Sequence, residues 1–181
     1  MSRGLFPAQS VISELTNQST QHYSCVVIPL LVDIGGPWSV LPPGIHDATM
    51  NEVKQRYAFN FERMRLLRGF EAGVNALQRA GCVAVFLNGS FVTEKSTPGD
   101  FDACWDPLGV DATKLEPALL DFSNRRERQK GLYGGEFFPS SASADAESTF
   151  LEYFQTDKYT GGAKGIIRIQ LAAQDDGGQT T

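Results

Sequence analysis

Two aspartates, Asp100 and Asp102, are the residues of this chain best suited to chemistry. They lie in a segment, residues 100–105, whose side chains alternate as in a β-strand. Because alternate side chains of a strand project to the same face, the two carboxylates stand together, about 6 to 7 Å apart along the strand. Divalent cations such as Mg²⁺ and Mn²⁺ prefer oxygen ligands of this kind. We therefore predict a metal site at Asp100 and Asp102.

A glycine and a serine, Gly89 and Ser90, precede this pair by a loop in which nine residues separate Ser90 from Asp100. Gly89 lets the backbone approach a ligand closely, and Ser90 offers a hydroxyl and an amide to a phosphate oxygen. Lys95, in the same loop, is a candidate to neutralise phosphate charge. A purely structural alternative makes Gly89 a tight turn and Ser90 the cap of a helical turn.

The order of an apolar strand, Gly89-Ser90, nine residues and Asp100-Phe101-Asp102 resembles the nucleotidyltransferase superfamily typified by DNA polymerase beta. The phrases LPPGIHDAT, VAVFLNGSFVTEKSTPGDFDACWD and KGIIRIQL are also similar to a bacterial family of nucleotidyltransferase-like proteins. The resemblance implies that Gly89 and Ser90 hold a nucleoside triphosphate and that Asp100 and Asp102 bind two magnesium ions. It implies transfer of a nucleoside monophosphate to a hydroxyl of an acceptor, which is an unknown protein, RNA or small molecule.

Members of that superfamily usually supply a third carboxylate from a later strand. Glu136, in a predicted strand over residues 134–139, is our candidate for a third catalytic acid, and Asp121 and Asp145 remain competitors. A basic cluster lies nearby in sequence, and a solvated helix face explains it as well as a phosphate site does. The cluster consists of Arg125, Arg126, Arg128 and Lys130.

Two other functions remain open. The Asp-Phe-Asp motif also occurs as a metal site in nucleotide-sugar glycosyltransferases. A protein of the same fold without turnover acts instead as a nucleotide sensor, or as a partner in a toxin-antitoxin or phage-defence pair. The distinguishing feature is a third acid within metal reach of Asp100 and Asp102, which only the active enzyme requires.

The composition bounds these functions. The 181 residues, 41% hydrophobic and 20% charged, are typical of one globular domain. We predict a flexible arm over residues 1–22, a nucleotidyltransferase-like domain over 23–173 and a flexible tail over 174–181. A net charge of −5 argues against binding to a long DNA duplex. Three cysteines without CxxC spacing indicate a reducing, cytoplasmic location, and no segment is long and apolar enough to suggest a membrane span.

The hydrophobic pattern predicts an α/β (α+β) fold, a small mixed β-sheet flanked by helices. Strands are expected over residues 25–32 at an edge, 83–87, 100–105, 134–139 and 167–171, with a loop over 35–47. Helices are expected after the caps Thr49 and Asn60, over residues 113–130, and from Ser143 with Phe150, Leu151 and Phe154 on its buried face. The helix after Thr49 should carry Val53 toward the core. The helix after Asn60 should end at Gly81, with Arg63 outside its apolar stripe. The expected apolar stripe consists of Met64, Leu67, Phe70, Val74 and Leu77. The expected core residues of the helix over 113–130 are Leu115, Leu119, Leu120 and Phe122.

Overall fold

The computed structural model describes residues 28–172, which contain five β-strands and four α-helices. The strands are β1 (Gly44–Asp47), β2 (Ala84–Asn88), β3 (Phe101–Trp105), β4 (Gly135–Pro139) and β5 (Gly165–Gln170). The helices are α1 (Met50–Tyr57), α2 (Phe61–Arg79), α3 (Glu127–Tyr133) and α4 (Phe150–Tyr153). The predicted arm and tail lie outside the described residues, and both stay predictions.

One mixed sheet organises the domain. Its strand order is β1-β5-β2-β3-β4. The pairs β1–β5 and β3–β4 are parallel, whereas β5–β2 and β2–β3 are antiparallel. The predicted small mixed sheet with flanking helices is therefore confirmed. None of the helices within residues 28–172 is both long enough and apolar enough to cross a membrane.

The helix α2 begins and ends where its sequence predicts. The Asn60 side chain accepts a hydrogen bond from the amide of Arg63 at 2.9 Å. At the other end Gly81 takes a positive φ of 95°, and the amides of Gly81 and Cys82 donate back to Gln78 and Leu77. Both helix ends are thus closed by local hydrogen bonds.

The buried face of α2 confirms most of its predicted core, since Leu67, Phe70, Val74 and Leu77 are buried. Met64, also expected in the core, is partly exposed. Within α2, Gly73 allows close packing, because a Cβ there would clash with the ring of Phe137 on β4.

The predicted capping box of α1 is also present. The Thr49 hydroxyl accepts from the Glu52 amide at 3.2 Å, and the Glu52 carboxylate accepts from the Thr49 amide at 2.6 Å. Val53, the residue expected to face inward, is fully buried.

The two faces of the sheet are covered differently. Phe101, Ala103, Trp105 and Phe137 point to one face, where they pack with α2 in the main core. Alternate residues of the same strands point to the other face, where a smaller cluster packs against residues 150–154. That cluster consists of Phe86, Cys104, Phe138, Phe154 and Ile166. The end of this second face nearest Asp102 carries polar side chains instead.

Two predictions near the amino terminus are wrong. Residues 44–47, expected in a loop, form β1, because they pair in parallel with β5 far along the chain. The edge strand expected over residues 25–32 is not formed by its described part. Only Val32 makes an isolated bridge, to Val40. Pro29 lacks the amide that a ladder requires.

Two predicted helices are also corrected. Of the helix expected over 113–130, residues 113–126 contain short 3₁₀ turns and only residues 127–130 are helical, as part of α3. Pro117 disfavours helical geometry at the residue before it. Leu115 and Leu119 are buried as expected, whereas Leu120 and Phe122 are exposed.

The last helix begins later than predicted. Ser143 pairs in a bridge with Thr149, and α4 starts at Phe150 under a capping box formed by Thr149 and Glu152. Of its expected buried residues, Phe154 is buried, while Phe150 and Leu151 are partly buried against the smaller cluster.

Candidate functional site

The candidate site is a row of three polar residues at one end of the sheet. Asn88 on β2 is in register with Asp102 on β3, and Asp102 is in register with Glu136 on β4. In-register side chains on neighbouring strands point to the same face, here the face that α2 does not cover. The sheet therefore brings together an amide and two carboxyl groups that are far apart in sequence. We call these three residues, Asn88, Asp102 and Glu136, the acidic row.

The glycine turn packs directly on this row. Gly89 follows β2 with φ 82° and ψ −171°, a conformation that other residues rarely adopt. A Cβ at Gly89 would lie 2.7 Å from Asp102 Oδ2 and 2.9 Å from the Asp102 amide nitrogen. The close approach therefore requires glycine, and it places the predicted glycine and aspartate side by side.

Ser90 starts the short 3₁₀ turn that follows, Ser90–Val92. The turn is held by the hydroxyl of Thr93, which donates to the Ser90 carbonyl at 2.8 Å. The Ser90 residue itself is half-buried beside Gly89. Ser90 therefore lies one residue from the glycine that packs on Asp102.

Asp102 lies in an acidic environment. Its pKa is raised to about 6, first by burial and then by the neighbouring charges of Asp100 and Glu136, while the charge of Lys164 opposes this rise. Carboxylates that raise one another's pKa form a place where a cation is favourable. Asp100 lies just before β3, and like Asp102 it is partly buried.

Lys164 is a member of this site that the sequence did not suggest. Its buried ammonium donates to the Asn88 side-chain oxygen, and its charge attracts Asp102 and Asp157. Burial lowers the pKa of Lys164 to about 8. A lysine just before an apolar strand is unremarkable until the pairing of β5 with β2 brings it to Asn88.

Glu136, the candidate third acid, is buried beside Asp102 with 6% of its surface exposed. Its carboxylate forms ion pairs with Arg126 and with Lys130, the latter at 3.4 Å. The two competitors are engaged elsewhere. Asp121 accepts from the Ser123 amide at 3.0 Å, and Asp145 accepts from the Ser148 amide at 2.8 Å. Of these three acids, the fold places Glu136 next to Asp102.

The Lys95 backbone helps to hold the loop, because its carbonyl accepts hydrogen bonds from the Arg63 guanidinium. Within the described residues its ammonium makes no ion pair, and its role toward phosphate stays a prediction. Three other cations contact the side chains of Asn88 and Glu136: Lys164, Arg126 and Lys130.

Arg63 is fully buried in α2 and supports the loop that carries Ser90. Its guanidinium donates to the carbonyls of Phe91 at 2.7 Å, Thr93 at 2.9 Å and Lys95 at 2.6 Å. A planar group with five donors suits this array, and lysine would not replace it. Its position was predicted to lie outside the apolar stripe of α2, and only the loop's return onto the helix explains its burial.

The donor set suits a magnesium ion with few protein ligands. Mg²⁺ is commonly held by one or two carboxylates, with water and substrate phosphates completing its shell. Asp100 and Asp102 can supply those carboxylates. Across residues 28–172 no group of three or more histidine, cysteine, aspartate or glutamate side chains is arranged to hold a metal ion. The pairing of Glu136 with two cations is consistent with that finding.

Comparison with known proteins gives one match, which covers the whole site. A family described as "Family of unknown function (DUF6932)" matches residues 37–170. No curated protein and no solved structure matches the chain. The matched segment contains β1 to β5 with Gly89, Asp102, Glu136 and Lys164, and it spans more than half of the 181 residues. The chain therefore belongs to the DUF6932 family.

Proposed function

We propose that this protein has a nucleotidyltransferase-like fold and moves a nucleoside monophosphate from a nucleoside triphosphate to a hydroxyl of an acceptor. The observation that carries the proposal is the contact of the Gly89 turn with Asp102, which lies in a row with Asn88 and Glu136 on the sheet face that α2 does not cover. This arrangement sets backbone that can approach phosphate beside carboxylates that can hold a divalent cation.

In this proposal Asp100 and Asp102 hold Mg²⁺ or Mn²⁺. When bound, the cation supplies charge neutralisation for the phosphates and for the departing pyrophosphate. Gly89 and Ser90 lie beside Asp102, so phosphate oxygens near the metal ligands also meet the Gly89-Ser90 backbone and the Ser90 hydroxyl. Binding and alignment are the main contributions that a protein makes to phosphoryl-type transfer.

Two buried cations give the site its shape. Lys164 donates to the Asn88 side chain and offsets part of the charge of Asp102. Arg63 holds residues 91–95, so the loop between Ser90 and Asp100 keeps one conformation. Neither group needs to contact the nucleotide for these roles, and we assign both to positioning.

A second candidate is nucleotide binding without turnover, as in a sensor or a toxin-antitoxin or phage-defence partner. The ion pairs of Glu136 with Arg126 and Lys130 favour it, because they occupy the acid that an active enzyme of this kind uses as its third carboxylate. The two functions share the same nucleotide site and differ in whether a bond is broken.

The decisive experiment incubates the protein with each α-labelled nucleoside triphosphate and Mg²⁺ or Mn²⁺. Pyrophosphate release and label transfer to the protein itself or to cellular RNA and protein are measured, with nucleotide binding followed in parallel. Asp102→Asn should abolish release and metal-dependent binding. Asp106→Asn is the matched control, because Asp106 lies just beyond the other end of β3 and its carboxylate accepts from the Leu108 amide.

Release that depends on Asp102 supports the transferase. Binding that depends on Asp102 without release, in the presence of those acceptors, supports the second candidate. Absence of both binding and release would overturn the two functions together.

A further inference from the structure

A short segment beside the acidic row has an unusual backbone. Asn124, Arg125 and Arg126 take positive φ angles of 44°, 53° and 60°, although none of them is glycine. A left-handed conformation is unfavourable for residues with a side chain, and three in succession persist only where surrounding contacts hold them. We call residues 123–130 the basic segment. It runs from Ser123 through these three residues into α3.

Two sets of contacts hold the basic segment: the Gln129 side-chain oxygen accepts from the Phe137 amide at 2.8 Å, and two cations pair with Glu136. The Arg126 guanidinium forms an ion pair with the Glu136 carboxylate and lies 5.0 Å from the ring centre of Phe138. Lys130 Nζ adds a second ion pair, 3.4 Å from Glu136 Oε1. The side chain of Glu136 is 8% exposed, whereas those of Arg126 and Lys130 are 32% and 42% exposed. The two cations therefore reach from solvent to a buried acid.

This arrangement places two long cationic side chains, Arg126 and Lys130, next to a proposed polyphosphate site. Arginine and lysine bind phosphate oxygens as readily as they bind carboxylate oxygens, and an arginine presents paired donors to either group. A phosphate group near Asp102 would compete with Glu136 for both cations.

We propose that the basic segment is a counter-ion switch, in which Arg126 and Lys130 leave Glu136 and bind the phosphates of a polyphosphate ligand. The choice of ligand rests on the proposed function. Without ligand the two cations balance the charge of Glu136, and with ligand they form part of the site that binds the phosphates. Glu136 then lies beside Asp102 without its ion pairs.

The test uses inorganic tripolyphosphate, which carries the charged groups of a triphosphate without base or sugar. Its binding to the full chain is measured by calorimetry in the presence of a metal chelator and again with Mg²⁺. The double substitution Arg126→Ala with Lys130→Ala should weaken binding at least about tenfold. Arg128→Ala is the matched control, since Arg128 is an exposed cation of the same segment without an ion pair to Glu136 among the described residues.

A second variant changes affinity in the opposite direction. Glu136→Gln removes the competing carboxylate, so tripolyphosphate should bind several-fold more tightly in the metal-free protein. Glu127→Gln removes the same charge from an exposed position in α3 and should leave affinity within about twofold. This pair keeps the test decisive if the double alanine variant does not fold, which circular dichroism would reveal.

Equal weakening by Arg128→Ala, or no gain from Glu136→Gln over Glu127→Gln, would overturn the switch. Tripolyphosphate binding with the expected mutational pattern, but no pyrophosphate release from any nucleoside triphosphate, leaves the switch supported and counts against the transferase. Pyrophosphate release that is insensitive to Arg126 and Lys130, together with unchanged tripolyphosphate affinity, supports the transferase and overturns the switch.

Discussion

The two faces of the sheet use neighbouring residues of the same strands for opposite purposes. On β4, Phe137 points into the main core while Glu136 points to the acidic row, and on β3 the same holds for Phe101 and Asp102. The first face removes aromatic rings from water along its whole length, whereas the end of the second face nearest Asp102 keeps ionisable groups close together at the cost of stability. The comparison teaches that a five-residue strand can serve the core and the site at once, because its side chains alternate.

The largest expected effect tests the core face. Phe137 is fully buried and packs against Phe70 and Phe101, with ring centres 5.8 and 5.3 Å away. Phe137→Ala should lower the free energy of unfolding by about 3 to 5 kcal/mol in urea denaturation. Phe122→Ala, which removes an exposed ring, should cost under about 1 kcal/mol. Similar losses in the two variants would contradict the core assignment.

The next effect tests the link between α2 and the loop that follows Ser90, which Arg63 provides. Arg63→Lys should lower the free energy of unfolding by about 2 to 3 kcal/mol, because lysine cannot satisfy the carbonyls that Arg63 bonds in the loop. Amide hydrogen exchange should become faster in residues 91–95. Arg65→Lys, at an exposed position in the same helix, is the control. Unchanged exchange in the loop would show that Arg63 does not hold it.

A smaller change in stability tests the second face through the glycine turn that packs on Asp102. Gly89→Ala should cost about 1 to 2 kcal/mol, because φ is positive there and the added Cβ meets Asp102. Metal-dependent nucleotide binding should be lost with it. Gly99→Ala in the same loop has open space around its Cβ and should retain binding. Equal binding by the two variants would remove Gly89 from the site.

The last effect concerns pH. The folded pKa of Asp102 is about 6, above its ordinary value of 3.8, so the folded protein binds this proton more tightly than the unfolded chain. The ionised carboxylate therefore lowers stability above pH 6, and this loss disappears as the pH falls to about 4. Asp102→Asn should be more stable than the wild type at pH 8 without metal, with the difference shrinking below pH 6. A difference that grows on acidification would contradict the raised pKa.

The parts of the fold that were predictable have their signals within a few residues. The caps of α1 and α2, the glycine after α2 and the alternation in β3 each follow from local hydrogen bonds or local burial. The same local pattern placed Asp100, Asp102 and Gly89 in one candidate site. The predicted helix over residues 113–130 was wrong because tertiary packing and Pro117 divide it into shorter turns.

By itself the sequence determined the boundaries of α1 and α2, the central strands and the acidic pair, since these depend on neighbours along the chain. Only the tertiary structure decided that β1 pairs with β5, that Lys164 reaches Asn88, and that Arg126 meets Glu136. These contacts join residues brought together by strand pairing and by a turn with left-handed backbone, and no pattern of a few consecutive residues specifies them. The acids were therefore recognisable from the sequence, whereas the cations that balance them required the fold.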